Sequence, residues 1–282
     1  MRVSRSSNYE WAAGKSYVGT ARQNKMATAV QASFWRHRRR YGTRRICTEL
    51  RDAGCRIGRF QVRSLMKREG LRAIAPVRFV PKTTNSNDGC AASPNLLAET
   101  ANQPTAAASV IIGDITYLPL SNGQWCYLAM WQDKFTRRIV GWAVEERMTD
   151  ALVVKAFERA LAKKTVAANA IVHTDRGSQY VSQNFRRLLK SRNLRQSMSG
   201  RGNCYDNAQA ESFFSRFKAE LVENGSFADV DQARSETFSY IEGYYNRIRK
   251  HSSLGYLSPD EFERTLRIKE QRSSESFVSG KT

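Results

Sequence analysis

The 282-residue chain contains no apolar run approaching the roughly 20 residues that a membrane-spanning helix requires. Its N-terminus, MRVSRSSNYEWAAGKSY, is basic but lacks the apolar centre of a secretory signal, so the expectation is a protein that stays in the cytoplasm. Histidine is scarce, and His37, His173 and His251 lie far apart. The five cysteines (Cys47, Cys55, Cys90, Cys126 and Cys204) form no CxxC pair. Structural zinc sites use closely spaced ligand pairs, so the expectation is reduced, free thiols and no zinc. No internal repeat is present. Acidic residues are nearly missing from the front of the chain. Residues 1–82 hold 4 Asp+Glu against 20 Lys+Arg, whereas residues 83–282 hold 22 against 26. A basic front joined to a nearly balanced remainder points to a polyanion-binding module attached to something else. Charge alone does not separate DNA from RNA, and a ribosome-like binder would show the same excess.

What is present in the front is helical. Residues 26–39 predict a helix ending in RHRRR. Within residues 41–71, Ile46 and Leu50 are spaced i, i+4, and after AGCRIG the residues Val62, Leu65 and Met66 repeat at i, i+3, i+4. Two short amphipathic helices around a glycine-containing turn read as a helix-turn-helix. Arg59, Arg63 and Lys67 recur every four residues opposite the apolar face, as on a recognition helix facing a major groove. A solvated basic helix has the same pattern; the charge excess of the whole segment favours DNA. Arg44 and Arg45, on the preceding helix, join these as candidate contacts.

Residues 82–109 are polar, rich in Ala, Asn, Ser and Thr, and read as a linker. From 110 the texture changes. VIIGDITYLPL, WCYLAMWQD and RRIVGWAV are strand-like, with hairpin turns plausible at SNGQ and KFT. A helix over 150–163, a fourth strand in ANAIVHTD and a helix in SQNFRRLLKSR complete a mixed α/β unit, in the element order of a ribonuclease H-like core. Phe213, Phe214, Phe217 and Leu221 mark a further helix, for which Asp206 and Gln209 have the spacing of a capping box. Helices also fit 228–249 and 258–270, and the tail 271–282 is expected to be disordered.

Asp114 lies in the middle of the first strand, embedded in IIGDITYL, where an unpaired carboxylate is costly. Asp175 follows the fourth strand, and Glu211 stands early on a later helix. Taken singly, each could be a cap or a surface charge. If the first and fourth strands are neighbours, the acids converge. Three carboxylates with few His or Cys nearby form a hard-oxygen site suited to Mg²⁺ or Mn²⁺. Two such ions can activate a nucleophile and stabilise the leaving oxygen of a phosphodiester. Gly177 is expected to let the chain turn sharply after the strand.

The stretches YGTRRI, GDITYLP, FTRRIVGWA, HTDRGSQY, SGRGNCYDNAQAESFFSRFKAEL and YNRIRKHSSLGYLSPDEF span residues 41–262. They closely resemble second-frame transposases of the IS-three family of insertion sequences, within the retroviral-integrase superfamily of DDE recombinases. Where a tryptophan is common three residues before the first acid, Ile111 stands here. The resemblance implies a ribonuclease H-like integrase catalytic core and two divalent metals, with Asp114, Asp175 and Glu211 as the acid triad. It implies cleavage of DNA at the element ends and strand transfer by the freed 3′-hydroxyl. It also implies a homo-oligomer on DNA, and an upstream-frame product joined by frameshift fusion. Lys218 resembles a lysine that related integrases lay along terminal DNA. The expected organisation is a DNA-binding region over 1–81, a linker over 82–109, a catalytic core over 110–224 and a helical extension over 225–270. A non-catalytic DNA-binding regulator and a nuclease of the same fold are the competing readings. The intact set of acids and the basic front module favour transposition.

Overall fold

A computed structural model of the protein describes residues 9, 12, 13, 21–76, 92–200, 207–222 and 225–279. The chain divides into two compact units, Met1–Ile74 and Ala75–Thr282.

The first unit holds helices α1 (Ala21–Arg36), α2 (Thr43–Asp52) and α3 (Arg59–Arg68). The α1 helix starts earlier than its apolar pattern predicts and stops at Arg36. Arg38 and Arg39 take φ of 48° and 64°, so most of RHRRR forms a turn and not a helix end. Val30 and Phe34 of α1 are buried together with Ile46 and Leu50 of α2 and Val62, Leu65 and Met66 of α3. Gly54, at φ 83°, ends α2 in the left-handed conformation that glycine adopts without strain. One polar knot ties α1 to α2. Glu49 receives Ser33 Oγ at 3.1 Å and Arg36 Nη1 at 3.0 Å, and meets His37 Nε2 at 2.5 Å. Burial pushes the Glu49 carboxyl up, but the His37 hydrogen bond and charge, with Ser33 and Arg36, outweigh it and hold the group below its ordinary range.

The second unit is built on a five-stranded sheet of β1 (Val110–Pro119), β2 (Trp125–Asp133), β3 (Ile139–Glu145), β4 (Ile171–Thr174) and β5 (Arg195–Met198). The spatial order is β3-β2-β1-β4-β5. The first three strands form an antiparallel meander, and β4 and β5 add in parallel. Parallel neighbours need crossovers. These are supplied by α4 (Asp150–Ala162) between β3 and β4, and by α5 (Ser178–Val181) with α6 (Gln183–Ser191) between β4 and β5. Strand alternation sorts β1 between two cores. Val110, Ile112 and Leu118 pack with Phe213, Phe214 and Phe217 of α7 (Ala208–Phe217), while Ile111 packs with Trp131, Phe157 and Phe185. Gly113 makes room for the Trp131 ring, since a Cβ there would lie 2.2 Å from it.

Several expectations need correction. The strand β5 has no counterpart in the sequence reading, because RQSM is short and polar. The second half of the expected linker is not free: Ser93 Oγ donates to Gln196 Oε1 at 2.8 Å, the Leu96 N–H to Ser197 Oγ at 3.0 Å and the Met198 N–H to Pro94 O at 3.3 Å. Residues 92–98 thus strap β5. The expected helix over 228–249 is α8 (Val230–Phe238), which widens into a π-helical segment over Ser239–Tyr245. Likewise α7 passes into a π-helical segment over Lys218–Val222. The expected disordered tail is helical as far as Ser279, the end of α9 (Pro259–Ser279).

Candidate functional site

The strand β1 delivers Asp114 between its two parallel and antiparallel neighbours. By alternation from Ile112, its side chain faces the side of the sheet that α7 covers. It accepts one hydrogen bond, from the N–H of Ile115 at 2.8 Å. Burial pushes its carboxyl up, the charge of Asp175 adds to this, the Ile115 N–H opposes it, Glu211 raises it further and Lys218 lowers it. The result is a group pushed up to about 8. Asp133, a fully buried acid of the sheet, shows what a structural carboxylate looks like. It takes the N–H groups of Ala108 and Phe135 at 2.8 Å and Thr136 Oγ1 at 3.1 Å, and so staples the β2–β3 turn. No such set of donors explains Asp114.

Asp175, an exposed residue, leaves the end of β4, and the protein packed around its carboxyl raises that group too. Its Oδ1 accepts the Gly177 N–H at 3.0 Å. Gly177 itself has φ −59°, which any residue adopts, so the bend after β4 does not depend on the conformational freedom of a glycine. What the glycine provides is room: a Cβ would stand 3.1 Å from Asp175 Oδ1. Glu211, exposed, is in the first turn of α7. That turn is fixed to the sheet by Gln209, whose Nε2 donates to Gln132 Oε1 at 3.0 Å and Lys134 O at 3.3 Å. Its supposed capping partner, Asp206, lies outside the described residues, and Asn207 makes no side-chain cap at the helix start. Asp114 therefore feels the charges of both other acids. Coulomb coupling reaches beyond ligand distance. Among the described residues, no three His, Cys, Asp or Glu side chains are gathered closely enough to hold a metal ion.

Two neighbours complete the site. Lys218, half-buried, places Nζ 4.0 Å from the centroid of the Tyr117 ring. Burial lowers its ammonium and the Asp114 charge raises it. Tyr180, which the sequence reading passed over, is fully buried, and burial with the charges of Asp175 and Asp114 keeps its phenol protonated. Its position five residues after Asp175 in HTDRGSQY was the available signal.

In the first unit, Arg59, Arg63 and Lys67 are exposed on α3, opposite the buried Val62, Leu65 and Met66. Arg44 is exposed on α2, while Arg45 is partly covered and its guanidinium stands 5.6 Å from the Tyr41 ring. Phe60, at the start of α3, is 79% exposed.

A mixed five-stranded sheet in the order 3-2-1-4-5, with acids on its first strand, after its fourth strand and on the helix behind them, defines a ribonuclease H-like integrase core, the scaffold of polynucleotidyl transferases. Family models agree: an integrase core domain matches residues 104–204, a second integrase core model residues 192–259, and an HTH-like domain residues 21–79. Transposase InsF for insertion sequence IS3A of Escherichia coli (strain K12) is 40% identical over 270 residues, covering 93% of this chain and 91% of that protein. An uncharacterized 31 kDa protein of insertion element IS600 from Shigella sonnei is 40% identical over 260 residues, 92% of this chain and 94% of its own. The HTLV-2 integrase catalytic core domain, solved with magnesium, is 13% identical with a TM-score of 0.44, over 57% of this chain and 99% of that one. The chain belongs to the IS3 (IS-three) family of insertion-sequence transposases. It is a DNA transposase, a DDE-type polynucleotidyl transferase with an N-terminal HTH-like domain.

Proposed function

We propose that Asp114, Asp175 and Glu211 are the catalytic acids, and that they would hold two divalent cations, Mg²⁺ or Mn²⁺. The donor set fits such ions: three carboxylates, all hard oxygen ligands. When bound, the ions supply activation of the attacking oxygen and stabilisation of the leaving one in hydrolysis and strand transfer. The observation that carries the reading is Asp114, whose half-buried carboxyl lacks a structural set of donors and is pushed up to about 8 by desolvation and by its two fellow acids. An acid whose charge is disfavoured in this way, with no structural partner, is the kind of group that functional sites use to receive positive charge. Gly177 and Ile115 orient two of the carboxylates through their N–H groups, and Gln209 fixes the turn that carries the third.

In the same reading, Arg44, Arg45, Arg59, Arg63 and Lys67 bind double-stranded DNA through one unit and Lys218 holds a backbone phosphate beside the acids. The working domains are 1–81, 82–109, 110–224 and 225–270. The transposase acts in the bacterial cytoplasm as a homo-oligomer on DNA, with the upstream-frame product as a fusion partner. Asp114→Asn, Asp175→Asn and Glu211→Gln each remove one anionic ligand while keeping shape. Each is expected to abolish end cleavage and strand transfer in Mg²⁺ with an unchanged circular dichroism spectrum. Near-normal strand transfer by any of them overturns that residue's role.

A further inference from the structure

Beyond the acids, the end of β1 and the start of β2 carry two rings that the core does not use. Tyr117 is 44% exposed and Trp125 is 48% exposed, in a unit whose other tryptophans, Trp131 and Trp142, are buried. The two rings meet edge to face, with centroids 5.0 Å apart and planes at 88°. The ammonium of Lys218 lies 4.0 Å from the Tyr117 centroid. Tyr117 therefore has a cation on it and an aromatic neighbour beside it, and Trp125 is the ring left open to an incoming group. The pairing of Pro119 with Trp125 sets the distance from the acids. Asp114 and Pro119 are five residues apart, about 17 Å along a strand, and the Trp125 ring reaches back toward Tyr117.

We infer that Trp125 is a stacking platform for an unpaired nucleobase of the DNA end, with Tyr117 as the positioning ring that holds it edge-on and Lys218 neutralising the adjoining phosphate. An exposed indole, with an ammonium one ring away on Tyr117, matches a nucleotide, which presents a π-face and an anion together. At 3.4 Å per nucleotide, a platform about 10–17 Å from Asp114 meets the base roughly three to five nucleotides from the reacting phosphate. The arrangement favours DNA whose terminal pairs have opened. Stacking needs a free face and is indifferent to base identity, so the platform senses fraying and not sequence. The inference rests on the acids being the place where DNA is cut.

The test uses the full chain and two probes: a blunt duplex oligonucleotide, and the same duplex with its last five pairs mismatched. Measured without divalent metal, so that no strand is cut, wild-type protein is expected to bind the opened probe about tenfold tighter than the paired one. Trp125→Ala should lose that preference while binding the paired duplex as before, and Trp125→Phe should keep most of it. With 5-iodouracil at the third to fifth nucleotide of the opened strand, photocrosslinking should mark the peptide containing Trp125. A preference for opened ends that survives Trp125→Ala, or crosslinks that map elsewhere, overturns the inference and leaves the assignment of the acids standing. Failure of wild-type protein to bind either probe overturns both.

Discussion

Glu220→Gln is expected to unfold the catalytic unit more readily than any surface change, because it strands a buried cation. Glu220 and Arg249 are 2% and 3% exposed. Their contact is bidentate: Arg249 Nη2 donates to Oε1 at 2.6 Å and Nε to Oε2 at 2.9 Å, with Tyr240 Oη donating to Oε2 at 2.9 Å. The carboxylate also sits in the π-helical segment that carries Lys218, and Tyr240 sits in the other one. Desolvating a pair offsets most of its attraction, so the pair adds little net stability as a unit. Removing one partner leaves the other charge buried without compensation, at about 3–5 kcal/mol. For a unit of about 200 residues this corresponds to a fall in Tm of roughly 6–20 °C. Urea unfolding followed by circular dichroism, for Glu220→Gln, Arg249→Met and the double change Glu220→Leu with Arg249→Met, separates the cases. Each single variant should lose several kcal/mol and the apolar double variant should recover most of it. Single variants within 1 kcal/mol of wild type, or a double variant that loses the sum of both, would refute the reasoning.

Gly113→Ala should destabilise by about 1–3 kcal/mol or more, because its methyl would meet the packed Trp131 ring; an unchanged melting temperature would show that the ring yields freely. Exchanging Lys67 for Ala should weaken binding to duplex DNA of any sequence and lower the salt slope by about one, and an unchanged slope would mean that this lysine is merely solvated. Glu49→Gln should lose roughly 1–2 kcal/mol at neutral pH. The sign follows from the native Glu49 carboxyl lying below its ordinary 4.5: its contribution is complete above that value and is lost as pH falls through the lower, folded one. The gap between wild type and variant in urea unfolding should therefore close in acid, and a gap that persists there would assign the effect to packing.

The sequence announced most of this arrangement through period and chemistry. Ile46, Leu50, Val62, Leu65 and Met66 carry the helical period and are all buried. The three meander strands were legible because alternation and β-branched residues coincide in VIIGDITYLPL. Asp114 stood out because an acid within that apolar run has no cheap structural role. What escaped was either too short or too long-ranged to leave a local trace. The strand β5 is four residues, three of them polar, held by Pro94 and by His173, whose Nδ1 lies 2.8 Å from Ser197 Oγ. The strap at 92–98 reads as a linker because its bonds go to residues about a hundred positions away. The π-helical segments have no compositional mark at all. Glu220, which reads as an ordinary helix-surface acid, is buried only because Arg249 and Tyr240 arrive from elsewhere.

The strap has a bearing on how copies of the transposase can join. An open sheet edge invites another strand to pair with it. Here Pro94 occupies the outer N–H of Met198 on β5. At the opposite side, β3 is attended by side chains: Asn246 bonds both the N–H and the carbonyl of Ile139, Arg159 the carbonyl of Trp142, and Arg234 the carbonyl of Val144. Part of the outer backbone of each edge strand is therefore already bonded within the chain. In the homo-oligomer on DNA proposed above, the subunits would then meet through helix faces and loops rather than through these covered stretches of edge. A sheet continued from one subunit into the next would lock such a complex in a single geometry, which contacts made elsewhere on the surface would not impose.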